Sequence, residues 1–352
     1  MSVVAVVGGG VIGSSIAWRA ARAGHTVTVH DAGIERGASW VAAGMLAPVT
    51  EVHFGEDELL SLNMRSAAMW PTFAHELTAD AGTLSGFHPS GALTVARDRD
   101  DLEALEAVAA YQRELGLDVA RLTARECRTA EPWLAPSVRG GFLVAGDHHV
   151  DNRMLLGALR AACAAHGVRI VDGAVDLPEG EVVVVASGAS AATGAFGLPA
   201  LRAVKGQILR LAPAPGAATP VLHHIVRGVD AYLVGRTSSG EVVVGATMEE
   251  KGLDTTVTAG AVHELLESAF ELVPGLREME LREASAGTRP GTFDNLPLVG
   301  ATANPNVIAA LGHYRNGFLL APVTADIVLH VLETGGQPEW ASAVDPSRFS
   351  EL

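Results

Sequence analysis

The chain has 352 residues, 48% of them hydrophobic, with 25 Lys and Arg against 40 Asp and Glu and a formal net charge of −15. That is ample core material for two domains or one large one, and it excludes a disordered chain. The acidic balance, with no local basic patch, argues against a nucleic-acid or anionic-membrane surface.

The first apolar run, Val3–Val7, reads as a strand and breaks at Gly8, Gly9 and Gly10. Gly13 then opens a segment with helical spacing at Ile16, Ala17, Ala20 and Ala21, and a β-branched run over 26–29 ends at Asp31. Strand, tight turn, helix and an acid some twenty residues on predict a dinucleotide-binding βαβ unit. Gly8 permits the turn, Gly10 lets the backbone approach a pyrophosphate, and Gly13 lets helix and strand pack closely. Free N–H groups near Val11 and Ile12 meet the phosphates. Asp31 can accept both hydroxyls of an adenosine ribose, which argues against a 2′-phosphate and leaves NAD and FAD open. The apolar run goes straight into the glycines with no basic leader, so the expectation is a cytoplasmic protein without a secretory signal.

Residues 35–48, "ERGASWVAAGMLAP", are small and aperiodic and predict a loop lying against something flat. Helical spacing returns over 59–79. "SGALTVARD" then predicts a strand leading into the acid-capped helix "DRDDLEALEAVAAYQRELG". "GGFLVAGDHHVD" reads as strand and turn, with Asp151 or Asn152 capping a helix that runs to His166. Cys163 sits on that helix as packing; with Cys127 far away and no metal-ligand company, the two cysteines fit a reducing compartment. "GVRIVDGAV" and "EVVVVASGAS" follow as strands, the second of the buried parallel kind that returns to the nucleotide domain. "VKGQILRLAP", "HHIVRG", "AYLVGR" and "EVVVGATM" predict an antiparallel sheet. A helix over 259–272 and a strand over 281–286 lead to "AGTRPGTFDNLPLVG". The last element pattern is strand, Gly-rich turn and a helix starting near Phe318. "FLLAPVTADIVLHVL" is too short and too polar to span a bilayer. Neither "DHHV" nor "HHI" predicts a metal site, because neighbouring strand residues point to opposite faces. The pattern is α/β: a nucleotide-binding domain from 1–85, 147–200 and 285–352, with a substrate domain inserted as 86–146 and 201–284.

The glycine turn with Asp31, "ASWVAAGMLAP", "VASGAS", "KGQ", "AGTRPGTFDNLPLVG" and "GHYRNGFLLAP" together resemble the FAD-dependent amine oxidases of the D-amino-acid oxidase group, and among them the glycine oxidases of thiamine biosynthesis. The resemblance runs in order through nearly the whole chain. It implies a Rossmann-type FAD-binding domain with an inserted antiparallel-sheet (α+β) substrate domain. It also implies noncovalent FAD touching Val11, Ile12, Asp31, Ala32, Ala38, Ser39, Ala43, Gly44, Met45, Val175 and the loop His313, Tyr314, Arg315, Asn316, Gly317, Phe318 and Leu319. The chain departs from the family between "GAV" and "EVVVVASG", where "DLPEG" stands in place of a hairpin.

The implied reaction is oxidation of glycine, and of sarcosine or small D-amino acids, with O2 reduced to hydrogen peroxide and the imine handed to a thiazole synthase. Hydride leaves the substrate Cα, so the protein chiefly orients the substrate and tunes the flavin. Arg289 would grip the carboxylate through its planar fork, with Tyr232 donating a second hydrogen bond and Arg315 and Met248 nearby. Arg315 reads equally as a brace beneath the flavin, and His313 as a flavin-loop residue and not a base. The helix after "GHYRNG" would point its positive end at the N1–C2 carbonyl edge of the flavin. Alternatives are a sarcosine-type oxidase, a dehydrogenase passing electrons to a quinone, and a non-catalytic flavin-binding module. A homo-oligomer is expected.

Overall fold

The computed structural model describes residues 1–33, 37–173, 181–189, 191–216 and 218–349. Val175 lies outside them. A six-stranded sheet runs, from edge to edge, Leu298–Ala301, Val307–Leu311, Val182–Val185, Val3–Val7, Thr26–Asp31 and Arg169–Asp172. All neighbours are parallel except Leu298–Ala301 against Val307–Leu311. The strand "VVVV" does return to pair with Val3–Val7, in register Val4 to Val182. Its residues are apolar throughout because both faces are covered. Val4 and Val6 face helices Val11–Arg22, Asp57–Ala81, Asn152–Ala165 and Ala321–Thr334 through Trp18, Trp70, Phe73, Leu155 and Ile327; Ala5, Val183 and Val185 face a second cluster with Leu198 and Leu311. Asp151, not Asn152, caps its helix, accepting from the N–H groups of Arg153 and Met154.

The second sheet has eight strands in the order Glu280–Gly291, Arg202–Ala212, Val242–Gly245, Tyr232–Gly235, Ile225–Arg227, Ala92–Ala96, Gly140–Val144 and Ala120–Thr123. It is antiparallel with one exception: Ile225–Arg227 runs parallel to Ala92–Thr94. Period-2 alternation divides its side chains. Leu209, Leu211, Leu233, Val242 and Val244 pack on helix Ala259–Leu272, whereas Ile208, Ile225, Val234 and Val243 face Ala43, Val41, Met45 and Tyr232. That second face is a cleft wall. "GGFLVAGDHHVD" is divided between two sheets, His148–Val150 joining Met45–Leu46 and Phe87–His88 in a small third one.

Two element boundaries differ from expectation. The strand expected over 281–286 extends to Gly291, since Gly287 and Pro290 lie in an edge strand, where a missing N–H costs no ladder bond. The last helix begins at Ala321 and not near Phe318: Tyr314–Asn316 form a short 3-10 turn, and Pro322 sits in the first helical turn, where its missing N–H is tolerated. Among the described residues, no helix is long and apolar enough to cross a membrane.

Candidate active site

One cleft runs from the opening glycine turn to the eight-stranded sheet. At the glycine end, Gly8 has φ +104°, and a Cβ there would lie 2.5 Å from the Ala186 carbonyl oxygen, so no other residue fits the turn. A Cβ at Gly13 would come within 1.9 Å of the Gly8 oxygen, which is the expected close approach of helix to strand. Gly9 has a use the sequence did not reveal: the Asp31 carboxylate lies across it, 2.6 Å from where a Cβ would be. One Asp31 oxygen accepts from Arg160 Nη2 at 3.0 Å. The Val11 N–H, expected to be free for a phosphate, donates to Ser39 Oγ at 3.0 Å, because Ser39 leans over Gly10. The residue capping helix Val11–Arg22 is Gly10, which offers no side-chain cap to its N-terminal N–H groups. The Ser187 hydroxyl, which lines the cleft beside this turn, is buried with no partner among the described residues. A glycine bed, a helix N-terminus, a carboxylate and an unsatisfied buried hydroxyl fit the adenosine diphosphate half of FAD.

At the sheet end, the Arg289 guanidinium spreads over Gly206, where a Cβ would sit 2.5 Å from both terminal nitrogens. Nη1 donates to the carbonyls of Lys205 at 3.4 Å and Thr247 at 3.2 Å, long contacts that hold the group without neutralising it. Tyr232 lies the same way over Gly245, its cross-strand partner, with the hydroxyl 2.3 Å from a notional Cβ. Burial raises the Tyr232 pKa above its ordinary value against the pull of Arg289, so the phenol stays a donor. Two glycines on adjacent strands thus let an arginine and a tyrosine lie flat along one wall.

Five titratable groups here, Glu51, His53, Glu56, Asp147 and Arg227, were not assigned a role from sequence. Glu51 lines the cleft and pairs with Arg227 in a very short contact, and with Arg315 Nε at 3.7 Å. Burial raises the Glu51 pKa, but the two guanidinium groups outweigh it and leave the carboxyl below its usual value. Arg315 also donates to Glu56 at 3.2 Å, and His53 lines the cleft, its pKa lowered by burial and Arg315. Asp147 sets the chain entering Glu51, accepting from the N–H groups of Val49 and Thr50 and from the Thr50 hydroxyl at 2.7–3.1 Å. Burial pushes Asp147 up to about 6.

The "ASWVAAGM" wall is tied down by buried polar groups. Asn152 donates to the carbonyls of Ser39 and Trp40 and accepts from Arg210 and Arg236; Arg236 also donates to the Ala43 carbonyl at 2.7 Å. At the far wall, His313 is buried, its pKa lowered to about 3 by burial alone, and its Nε2 lies 2.9 Å from Thr324 Oγ1. Tyr314 follows at φ +48°, a left-handed conformation that costs a non-glycine residue about 1–2 kcal/mol. Its hydroxyl donates to Met248 Sδ at 3.3 Å.

The cleft therefore brings together Gly8, Gly10, Val11, Ile12, Asp31, Ala38, Ser39, Ala43, Gly44, Met45, Tyr232, Met248, Arg289, His313, Tyr314, Arg315, Gly317 and Phe318. Gly13, Ala32, Asn316 and Leu319 do not line it. Ala32 is exposed on the surface, Asn316 is buried behind the wall, and the Leu319 carbonyl accepts from Ser66 and Trp70 in the helical core. The histidine pairs have other partners: His149 Nδ1 lies 3.0 Å from Ser90 Oγ, and His224 Nδ1 lies 2.9 Å from buried Glu131.

Comparison with known proteins agrees with this geometry. The family model described as "DAO: FAD dependent oxidoreductase" matches residues 4–330. The chain belongs to this family. It is 32% identical to the glycine oxidase of Geobacillus kaustophilus over 356 residues, covering 94% of this chain and 92% of the relative. It is 31% identical over 346 residues to the bifunctional protein ThiO/ThiG of Nostoc sp., and there it spans about half the relative's length, 52%. The crystal structure of the Geobacillus kaustophilus glycine oxidase superposes with a TM-score of 0.88 at 31% identity, over 99% of this chain and 98% of that one. That of iminodiacetate oxidase from Chelativorans sp. BNC1 superposes with a TM-score of 0.85 at 26% identity, over 97% of this chain and 98% of that one.

Proposed function

We propose that this protein is a flavin-dependent oxidase of glycine and of other small amino acids such as sarcosine and small D-amino acids. The observation that carries the reading is the Arg289 guanidinium, which lies flat over Gly206, held by two backbone carbonyls and beside the Tyr232 hydroxyl. An arginine fork that pairs with no carboxylate among the described residues is suited to receive a substrate carboxylate. Anchored there, the substrate has its Cα–H direction fixed, which is most of what the protein contributes to such a reaction. FAD, when bound, supplies the two-electron acceptor: the Cα hydride and an amine proton leave, the imine forms, and O2 takes the electrons and two protons to give hydrogen peroxide.

Asp31, Val11, Ile12 and the Gly8–Gly10 turn would hold the adenosine diphosphate, in a binding part drawn from 1–85, 147–200 and 285–352. The helix Ala321–Thr334 lies behind the wall of Tyr314 and Phe318 and would favour negative charge on the flavin's carbonyl edge. No cysteine is placed for a covalent link: Cys163 is buried, pushed up to about 12, and contacts the Ser14 carbonyl, and Cys127 lies in the substrate-side core. This favours noncovalent FAD over the covalent sarcosine-type attachment. The likeness to bifunctional ThiO/ThiG relatives supports a hand-off of the imine to thiazole assembly. The proposed setting is the cytoplasm.

Purified protein mixed with glycine without oxygen should bleach, and admitting air should restore the colour with one peroxide per turnover. A flavin that stays oxidised with glycine, sarcosine and small D-amino acids alike would leave a non-catalytic flavin-binding protein. Bleaching without peroxide on re-aeration would point to another electron acceptor.

A further inference from the structure

We infer that Glu51 masks Arg227 inside the cleft and thereby restricts the site to amino acids with a single carboxylate. The inference rests on the oxidase reading for the nature of the substrate, and on the charge arrangement for everything else. Arg227 and Tyr232 are cross-strand partners in register, so their side chains leave the same face of the sheet as neighbours. Tyr232 in turn interacts with Arg289 and feels the charges of Arg227 and Glu51. Arg227 and Arg289 therefore flank one tyrosine on one wall of the cleft. Two guanidinium groups so placed form a receptor for two carboxylates.

The carboxylates nearby are unevenly shared. Arg289 pairs with none among the described residues and rests on backbone carbonyls. Arg315 has Glu51 and Glu56. Arg227 has Glu51 as its ion-pair partner and feels the more distant charge of Asp147; beyond Glu51 its guanidinium hydrogen-bonds only Met45 Sδ, at 3.8 Å, among the described residues. Asp230 also lines the cleft, but it is 59% exposed and pairs with Arg97. Glu51 itself is 11% exposed and is held ionised by its two arginines. A second substrate carboxylate arriving at Arg227 would have to displace an ion pair already made, and would meet the charge of Glu51 as it did so. A buried pair of this kind is costly to break, because it strands one charge without a partner. Glycine, with one carboxylate for Arg289, makes no such demand.

The test compares acetate with malonate as equilibrium ligands of the FAD-loaded protein, by calorimetry in chloride-free buffer. Wild type should bind acetate more tightly than malonate. Glu51→Gln should shift the affinity ratio toward malonate by at least roughly tenfold, the size of one charge-assisted hydrogen bond. Glu51→Gln combined with Arg227→Gln should return the ratio to near the wild-type value. An unchanged ratio in Glu51→Gln, or a shift that survives in the double variant, overturns the inference. If Glu51→Gln does not fold, Arg227→Gln alone decides: it should leave malonate no tighter than in wild type, and tighter malonate overturns the inference. Failure of wild type to be bleached by glycine would sink the oxidase reading separately, since the acetate to malonate ratio needs no turnover.

Discussion

Gly206→Ala is the most direct probe of the carboxylate anchor, because it adds one methyl group and removes no charge. The new Cβ would lie 2.5 Å from both terminal nitrogens of Arg289 and 2.6 Å from Cζ. Comfortable contact lies near 3.5–4.0 Å, so the guanidinium must shift by about 1 Å. The obstructed atoms are the end of a flexible side chain, and stability should change little. Placement should change a great deal: a misplacement of about 1 Å in an orienting group costs on the order of a hundredfold in rate. The expected result is a fall of about a hundredfold in kcat/KM for glycine, visible in the anaerobic flavin reduction rate, with FAD content and melting temperature close to wild type. Gly146→Ala, where nothing lies within 4 Å of a Cβ, is the control and should be neutral. Wild-type reduction kinetics in Gly206→Ala would mean that Arg289 does not grip the substrate from this position.

Arg289→Ala should lower kcat/KM for glycine by two to four orders of magnitude, about 3–5 kcal/mol for a carboxylate left without its partner, and Arg289→Lys should recover only part; stopped-flow reduction of the variants checks both. Acid precipitation should release intact FAD into the supernatant, since neither cysteine reaches the cleft, and flavin retained in the pellet would contradict this. Asp31→Ala should weaken FAD binding by about 1.5–3 kcal/mol in a titration of apoprotein, through loss of a charge-assisted bond to the ribose. His313, lowered to about 3 in the fold, stays neutral there while the unfolded chain takes up a proton below its ordinary value near 6.5. The unfolded state thus binds more protons in that window, and the native state loses stability as pH falls from about 6.5 toward 3. His313→Gln should lose less stability over the same acid range, read by urea midpoints.

Local signals carried much of this site and long-range pairing carried the rest. The turn at Gly8, the close pack at Gly13 and the carboxylate at Asp31 follow from one short βαβ stretch, where spacing alone decides geometry. Arg289 and Tyr232 were legible through the motifs around them, although nothing local says that each lies on a glycine. Gly206 meets Arg289 through the pairing of Arg202–Ala212 with Glu280–Gly291, some eighty residues apart, and Tyr232 meets Gly245 through another pairing. Glu51 and Arg227 were missed for the same reason: in an acidic chain whose cations are nearly all arginine, neither residue stands out until the sheet register brings them together. The parallel pairing of Ile225–Arg227 with Ala92–Thr94 is equally invisible in strand composition, which is alike for both directions. It has a consequence for the site, because it places Arg227 at the end of a three-residue strand facing the cleft beside Tyr232. The sheet wall that carries Arg289, Tyr232 and Arg227 is therefore built by tertiary pairings that composition does not encode, whereas the Gly8–Asp31 end of the cleft comes mostly from one continuous stretch. Substitutions around Gly8–Asp31 should alter FAD retention first, and substitutions on the eight-stranded sheet should alter substrate choice while FAD stays bound.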